Sequence, residues 1–93
     1  MAVRVRWTKR AENSFEKTIK YVETEWGENS AIRVARRIRD VLQVLSEHPG
    51  AGKVENQEKD LRAMVISRHN SVYYRIRNGE VILLKIIDNR QRK

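Results

Sequence analysis

Val3, Val5 and Trp7 alternate with Arg4 and Arg6, a two-residue period that predicts a strand over residues 2–7 with one buried face. At Thr8 the period changes. Ala11, Phe15, Ile19, Val22 and Trp26 follow at intervals of three and four, the stripe of an amphipathic helix, and Thr8 stands where a hydroxyl can accept from a free N–H of the first turn. That helix should end near Gly27. A second stripe, Ala31, Ala35, Ile38, Leu42 and Leu45, follows the capping candidates Glu28, Asn29 and Ser30 and predicts a helix reaching Ser46 or Glu47. Only a few residues around Gly27 separate the two, so they should lie antiparallel and side by side.

His48-Pro49-Gly50-Ala51-Gly52 ends the second helix, because proline cannot continue it and glycine releases the backbone. Residues 53–60 are polar and read as a loop. Three apolar runs complete the chain, at residues 61–66, 71–77 and 81–87. Asn78-Gly79 joins the last two, and both residues tolerate the positive φ of a type I′ hairpin turn. Arg68, His69 and Asn70 form the expected turn before them. The fold class is therefore α+β: strand, helix, helix, strand, strand, strand, with the helical hairpin on one face of a mostly antiparallel four-stranded sheet, as one domain over residues 1–93.

Strand alternation assigns the two faces of that sheet. Val3, Val5, Trp7, Leu61, Ala63, Val65, Val72, Tyr74, Ile76, Ile82, Leu84 and Ile86 make the expected inward set. The outward set is Arg4, Arg6, Arg62, Met64, Ile66, Tyr73, Arg75, Arg77, Val81, Leu83, Lys85 and Ile87. In the runs at 61–66 and 81–87 both alternating sets are largely apolar, so a one-residue slip would exchange their faces. Six of the twelve outward residues are basic and none is acidic. Cations on strands keep a sheet soluble, but mixed charge would serve as well, and selection of one sign points to an anionic or amphipathic partner. Met64, Ile66, Val81, Leu83 and Ile87, with Val41 and Val44 of the second helix, would add an exposed apolar patch of the kind that marks a protein interface.

Charge sharpens this picture. The 93 residues carry 20 Lys and Arg against 12 Asp and Glu, a formal net charge of +8, and residues 61–93 hold eight of those cations against two acids. The excess belongs to the sheet and tail. Arg33, Arg36, Arg37 and Arg39 on the second helix read as an ordinary solvated face, partly neutralised by Asp40. The absence of cysteine excludes disulfides and thiolate metal sites, and His48 and His69 lack ligand spacing, so no metal or other cofactor is expected. No stretch approaches the ~20 apolar residues that span a bilayer. A cytoplasmic protein with no membrane partner is expected.

The element order, Leu42-x-x-Leu45-x-x-His48-Pro49-x-x-Gly52, Leu61-Arg62, Val72-Tyr73-Tyr74-Arg75 and Ile86-Ile87-Asp88-Asn89-Arg90 together resemble the RelE/ParE superfamily of toxins from type II toxin–antitoxin modules, over essentially the whole chain. The resemblance implies a compact toxin neutralised by a cognate antitoxin that wraps its helices and sheet, as a toxin dimer or a toxin–antitoxin heterotetramer. Met64, Ile66, Leu83, Val41 and Val44 are then the expected antitoxin contacts. It also implies one of two targets. ParE-like members poison DNA gyrase by binding, for which Arg4, Arg6, Arg75, Arg77, Lys85 and Arg92 are the candidate contacts. RelE-like members cleave messenger RNA on the ribosome; Arg62 matches one of their basic positions, and Arg90 or Arg92 can match another, but Met64 and Ser71 stand where a lysine and an arginine would be.

Cleaving RNA at the 2′-OH needs a base, a cation for the phosphorane-like transition state and an acid for the leaving oxygen. Arg62, Tyr73, Arg90 and His69 are the candidates for a metal-independent ribonuclease. No proton acceptor stands out, since His69 falls in a turn. The ParE-like reading, action by binding, therefore leads, with the RelE-like ribonuclease as the alternative.

Overall fold

A computed structural model describes residues 2–89. The elements are β1 (Val5–Trp7), α1 (Lys9–Trp26), α2 (Glu28–Glu47), a short 3-10 turn (Pro49–Ala51), β2 (Lys53–Asn56), β3 (Leu61–Ser67), β4 (Asn70–Arg77) and β5 (Glu80–Asp88). The strands form one sheet in the order β1-β5-β4-β3-β2, antiparallel except where β1 runs parallel to β5. The α+β architecture follows the sequence pattern, but the sheet has five strands instead of four. The additional strand, β2, lies in the stretch read as a loop. All four of its residues are exposed, so no buried face marks it in the sequence; backbone pairing with β3 holds it, and its Lys53 and Glu55 suit a sheet edge.

Thr8 caps α1 as expected: its Oγ accepts from Ala11 N at 3.1 Å while its own hydroxyl donates to Leu83 O at 2.8 Å, fastening the helix start to β5. Gly27 closes α1 and opens α2. Its φ of +92° is a conformation that side chains strain against, and its N–H donates to Glu23 O while its C=O accepts from Ala31 N. No side chain caps α2, so Asn29 and Ser30 lie inside the helix. Asn78 and Gly79, at φ of +52° and +74°, make the expected turn between β4 and β5.

The helical hairpin covers one sheet face, and the core comprises Ala11, Ile38, Leu45, Ile66, Val72, Tyr74, Val81, Leu83 and Ile86. Two expected strand phases are overturned here. In β3, Ile66 is 2% exposed and Val65 65%, the reverse of the expected assignment. Cross-strand partners share a face, and β4 turns Tyr73 and Arg75 outward, which carries their partners Ala63 and Leu61 outward and Met64, the partner of Val72, inward. In β5, Val81, Leu83 and Ile86 all face the helices, a set that no uninterrupted two-residue period allows. A bulge resolves it: Tyr73 pairs with Lys85 and Tyr74 with Leu83, leaving Leu84 as the extra residue. Ile66 and Leu83 are thus buried core residues and cannot be the exposed antitoxin contacts expected of them. Met64 and Val41 are partly buried and pack on the same core, whereas Val44 stays exposed.

Candidate functional site

Where the helical hairpin meets the ends of β4 and β5, a groove of about 1010 Å³ opens. Lys17, Arg33, Arg36 and Arg37 of the helices and Lys85 of β5 line it against Asp40 and Asp88, so its walls are predominantly cationic. Its mouth is aromatic. Trp26, half-exposed at the hairpin tip, meets Tyr21 edge to face at 5.7 Å and stacks on His69 with ring centroids 6.4 Å apart and planes within 15°.

Buried polar groups fix that mouth. Asn70 donates through Nδ2 to Ile87 O at 3.3 Å, Ser71 Oγ donates to Asn89 Oδ1 at 3.0 Å, and Asn89 N donates to His69 O at 2.6 Å. These bonds clamp the Arg68-His69 turn to the end of β5 and present the His69 ring to Trp26. On the opposite wall Arg37 reaches across from α2, its Nε donating to Ile66 O at 3.0 Å. Arg37, expected on a solvated face, and Trp26, expected on the buried stripe of α1, both line this groove. The available signal was the position of Trp26 directly before the helix-ending Gly27, beyond the reach of a short hairpin's core.

The sheet's outer face is the second surface. Arg4 just before β1, Arg6 on β1, Arg75 and Arg77 on β4, and Lys85 on β5 share it with Ile82, Tyr73 and Leu61, and Lys85 Nζ stands 6.0 Å from the centroid of the Tyr73 ring. Glu80, the one acid that β1, β4 and β5 place there, lies with its Oε2 3.8 Å from Arg4 Nε. Tyr73 and Lys85 belong to both surfaces, since each also lines the groove.

Arg62, expected among the catalytic cations, is turned inward instead. Its guanidinium donates to Gly50 O at 3.3 Å and Gly52 O at 3.4 Å and approaches Asp60 at 3.7 Å. Beside it the buried Tyr74 phenol donates to Pro49 O at 2.7 Å and accepts from Gly52 N at 2.8 Å. Burial pushes the Tyr74 pKa above its ordinary value, while the Gly52 N–H and the Arg62 charge pull it down. Arg62 and Tyr74 together pin the segment after α2 to the sheet. The remaining RelE-type candidates are scattered: His69 lies beyond the far end of β3, about 17 Å along the strand from Arg62, and Tyr73 projects from the opposite face. Arg90 and Arg92 lie outside the described residues. Among the described residues no cluster of His, Asp or Glu could hold a metal ion, and no helix is long and apolar enough to cross a membrane.

Comparison with known proteins agrees with this geometry. The family described as the ParE toxin of the type II toxin–antitoxin system parDE is matched by residues 5–93. Toxin ParE1 of Caulobacter vibrioides is 27% identical over 71 residues, 76% of this chain and 74% of that protein. The chromosomal ParDE toxin–antitoxin system of P. aeruginosa contains a chain of the same fold, with a TM-score of 0.79 at 19% identity over 94% of this chain and 96% of that one. The YoeB/ParE toxin of Agrobacterium tumefaciens shares the fold at a TM-score of 0.66 and 13% identity, covering 92% of this chain and 98% of that one. The chain belongs to the ParE toxin family: it is the toxin of a type II toxin–antitoxin pair, made to be held by an antitoxin.

Proposed function

We propose that this cytoplasmic toxin acts by binding and that its target is DNA gyrase, engaged through the outer sheet face with Arg4, Arg6, Arg75, Arg77 and Lys85. The observation that carries this reading is the position of Arg62. A cation that serves a scissile phosphate must reach it, and this guanidinium is held inward, its Nη1 on the carbonyls of Gly50 and Gly52 and its Nε buried, on the side of the sheet away from Tyr73. The outer face has one acid, Glu80, beside Arg4; Arg75 donates through Nε to Lys59 O at 2.9 Å, and Arg6 and Arg77 stand exposed, which suits a polyanionic or acidic target.

The antitoxin, on the same proposal, occupies the groove. Cationic walls and an aromatic mouth suit an amphipathic segment with acidic residues on its rim and apolar anchors against Tyr21 and Trp26. Since Tyr73 and Lys85 serve both surfaces, a groove ligand covers part of the target face.

Induction of the toxin in growing cells tests the target. Double-strand DNA breaks and a DNA-damage response with intact messages are expected. Codon-positioned cuts in translated messages, with unbroken DNA, would overturn the proposal in favour of the ribonuclease.

A further inference from the structure

The sheet-face proposal leaves open what chemistry that face grips. Resting on that reading, we infer that the face holds the phosphate backbone of duplex DNA, so that the toxin touches DNA directly as well as the protein that carries it.

The argument begins with register. Arg6, Ile82 and Arg75 form one cross-strand row, Glu80 and Arg77 the next, and Lys85 and Tyr73 the row on the other side. Cations therefore run in two stripes along the strands, Arg6 on β1 with Arg4 just before it, and Arg75 and Arg77 on β4. Residues two apart on a strand are ~6.8 Å apart. Neighbouring phosphates of one DNA strand rise ~3.4 Å along the axis and wind about it, which puts them about twice that distance apart through space, so each stripe can meet neighbouring phosphates. Arg6 and Arg77 are exposed, and Arg75, whose Nε donates to Lys59 O at 2.9 Å, meets a phosphate through its terminal nitrogens.

Two other occupants fit less well. Single-stranded nucleic acid is held by stacking successive bases on several aromatic rings, whereas this face carries Tyr73 alone, with Lys85 beside its ring. Protein–protein interfaces are depleted of charge at their centres, and here the interior strands β4 and β5 place Arg75 and Lys85 away from the sheet edges.

Fluorescence anisotropy of a short labelled duplex, titrated with the full chain across a salt series, tests the inference. Four phosphate contacts by Arg6, Arg75, Arg77 and Lys85 give a slope of log K against log salt of about −3.6. Arg6→Gln with Arg77→Gln should reduce the slope to about −1.8 and weaken binding about tenfold at moderate salt. The charge-matched pair Arg10→Gln with Lys20→Gln, exposed on α1, should change affinity by less than about twofold. Equal losses in the two double variants would mean diffuse attraction to a basic protein and would overturn the inference. So would a single strand of the same length competing better than the duplex. Retained circular dichroism and antitoxin binding establish that each variant is folded. A toxin that binds no duplex, yet loses toxicity in the Arg6/Arg77 variant, would sink the DNA contact and leave the sheet-face reading standing. Toxicity unchanged in a variant that has lost DNA binding would sink the sheet-face reading itself.

Discussion

Replacing Tyr74 by Phe removes one oxygen and disconnects two backbone groups. Pro49 C=O loses its donor and the Gly52 N–H its acceptor, on a residue that is itself buried. Little volume changes, so no cavity term enters. A buried donor left without an acceptor costs ~1–3 kcal/mol, and about 2 kcal/mol is the expected loss at neutral pH. For a domain of this size that corresponds to a melting temperature lower by about 8–16 °C. The pH dependence supplies a second signature. Tyr74 is raised in the folded state, so both states keep the proton below the unfolded value near 10 and the contribution is fully present there. As pH climbs past that value the unfolded phenol ionises while the buried one resists, and stability is lost as pH rises through the folded pKa. The Phe variant has no such loss. Urea denaturation of both proteins at neutral pH and in the alkaline range should show the gap narrowing above pH ~10. A neutral-pH difference below about 0.5 kcal/mol, or parallel profiles through the alkaline range, would refute the reasoning.

Three further outcomes are expected. Ile66→Ala should cost about 2–4 kcal/mol in urea denaturation while Val65→Ala stays within about 0.5, and the reverse order would restore the opposite strand phase. Thr8→Ala should lower stability by about 1–2 kcal/mol by the same assay, since it loses both the cap on Ala11 and the tie to Leu83; no measurable change would mean the helix start is held by other contacts. Lys17→Glu with Arg33→Glu should weaken antitoxin binding, measured by calorimetry, by about tenfold or more with the fold intact, and undiminished affinity would place the antitoxin elsewhere.

Helices were legible because their stripes are unambiguous: from Thr8 to Gly27 and on to Leu45, nearly every apolar position has a polar neighbour that fixes the period. The strands were legible only where alternation is clean. Val72-Tyr73-Tyr74-Arg75 showed its faces correctly, but the run Val81-Ile82-Leu83-Leu84-Lys85-Ile86-Ile87 is apolar on both sides, and its bulge at Leu84 is decided by pairing with β4, a non-local fact. β2 could not be seen because its stabilisation is backbone pairing, which composition does not record. The same limit applies to Arg62. A basic residue at a family position reads as catalytic from the sequence, and only the folded neighbourhood of Gly50 and Gly52 assigns its hydrogen bonds to structure.

The strand order has a consequence for when this molecule becomes a toxin. β5 is the last of the described strands to be made, yet it sits between β1 and β4 and pairs with a strand more than seventy residues earlier. During synthesis β1 therefore emerges with no strand to pair with, and Thr8, Ser14 and Trp7 wait for a strand still inside the ribosome. Non-local pairing of this kind closes late and slowly. The groove, with one wall built from β5, and the basic face, with its centre on β4 and β5, come into being in that same final step. A nascent or truncated chain lacks both surfaces until translation has carried β5 clear of the ribosome.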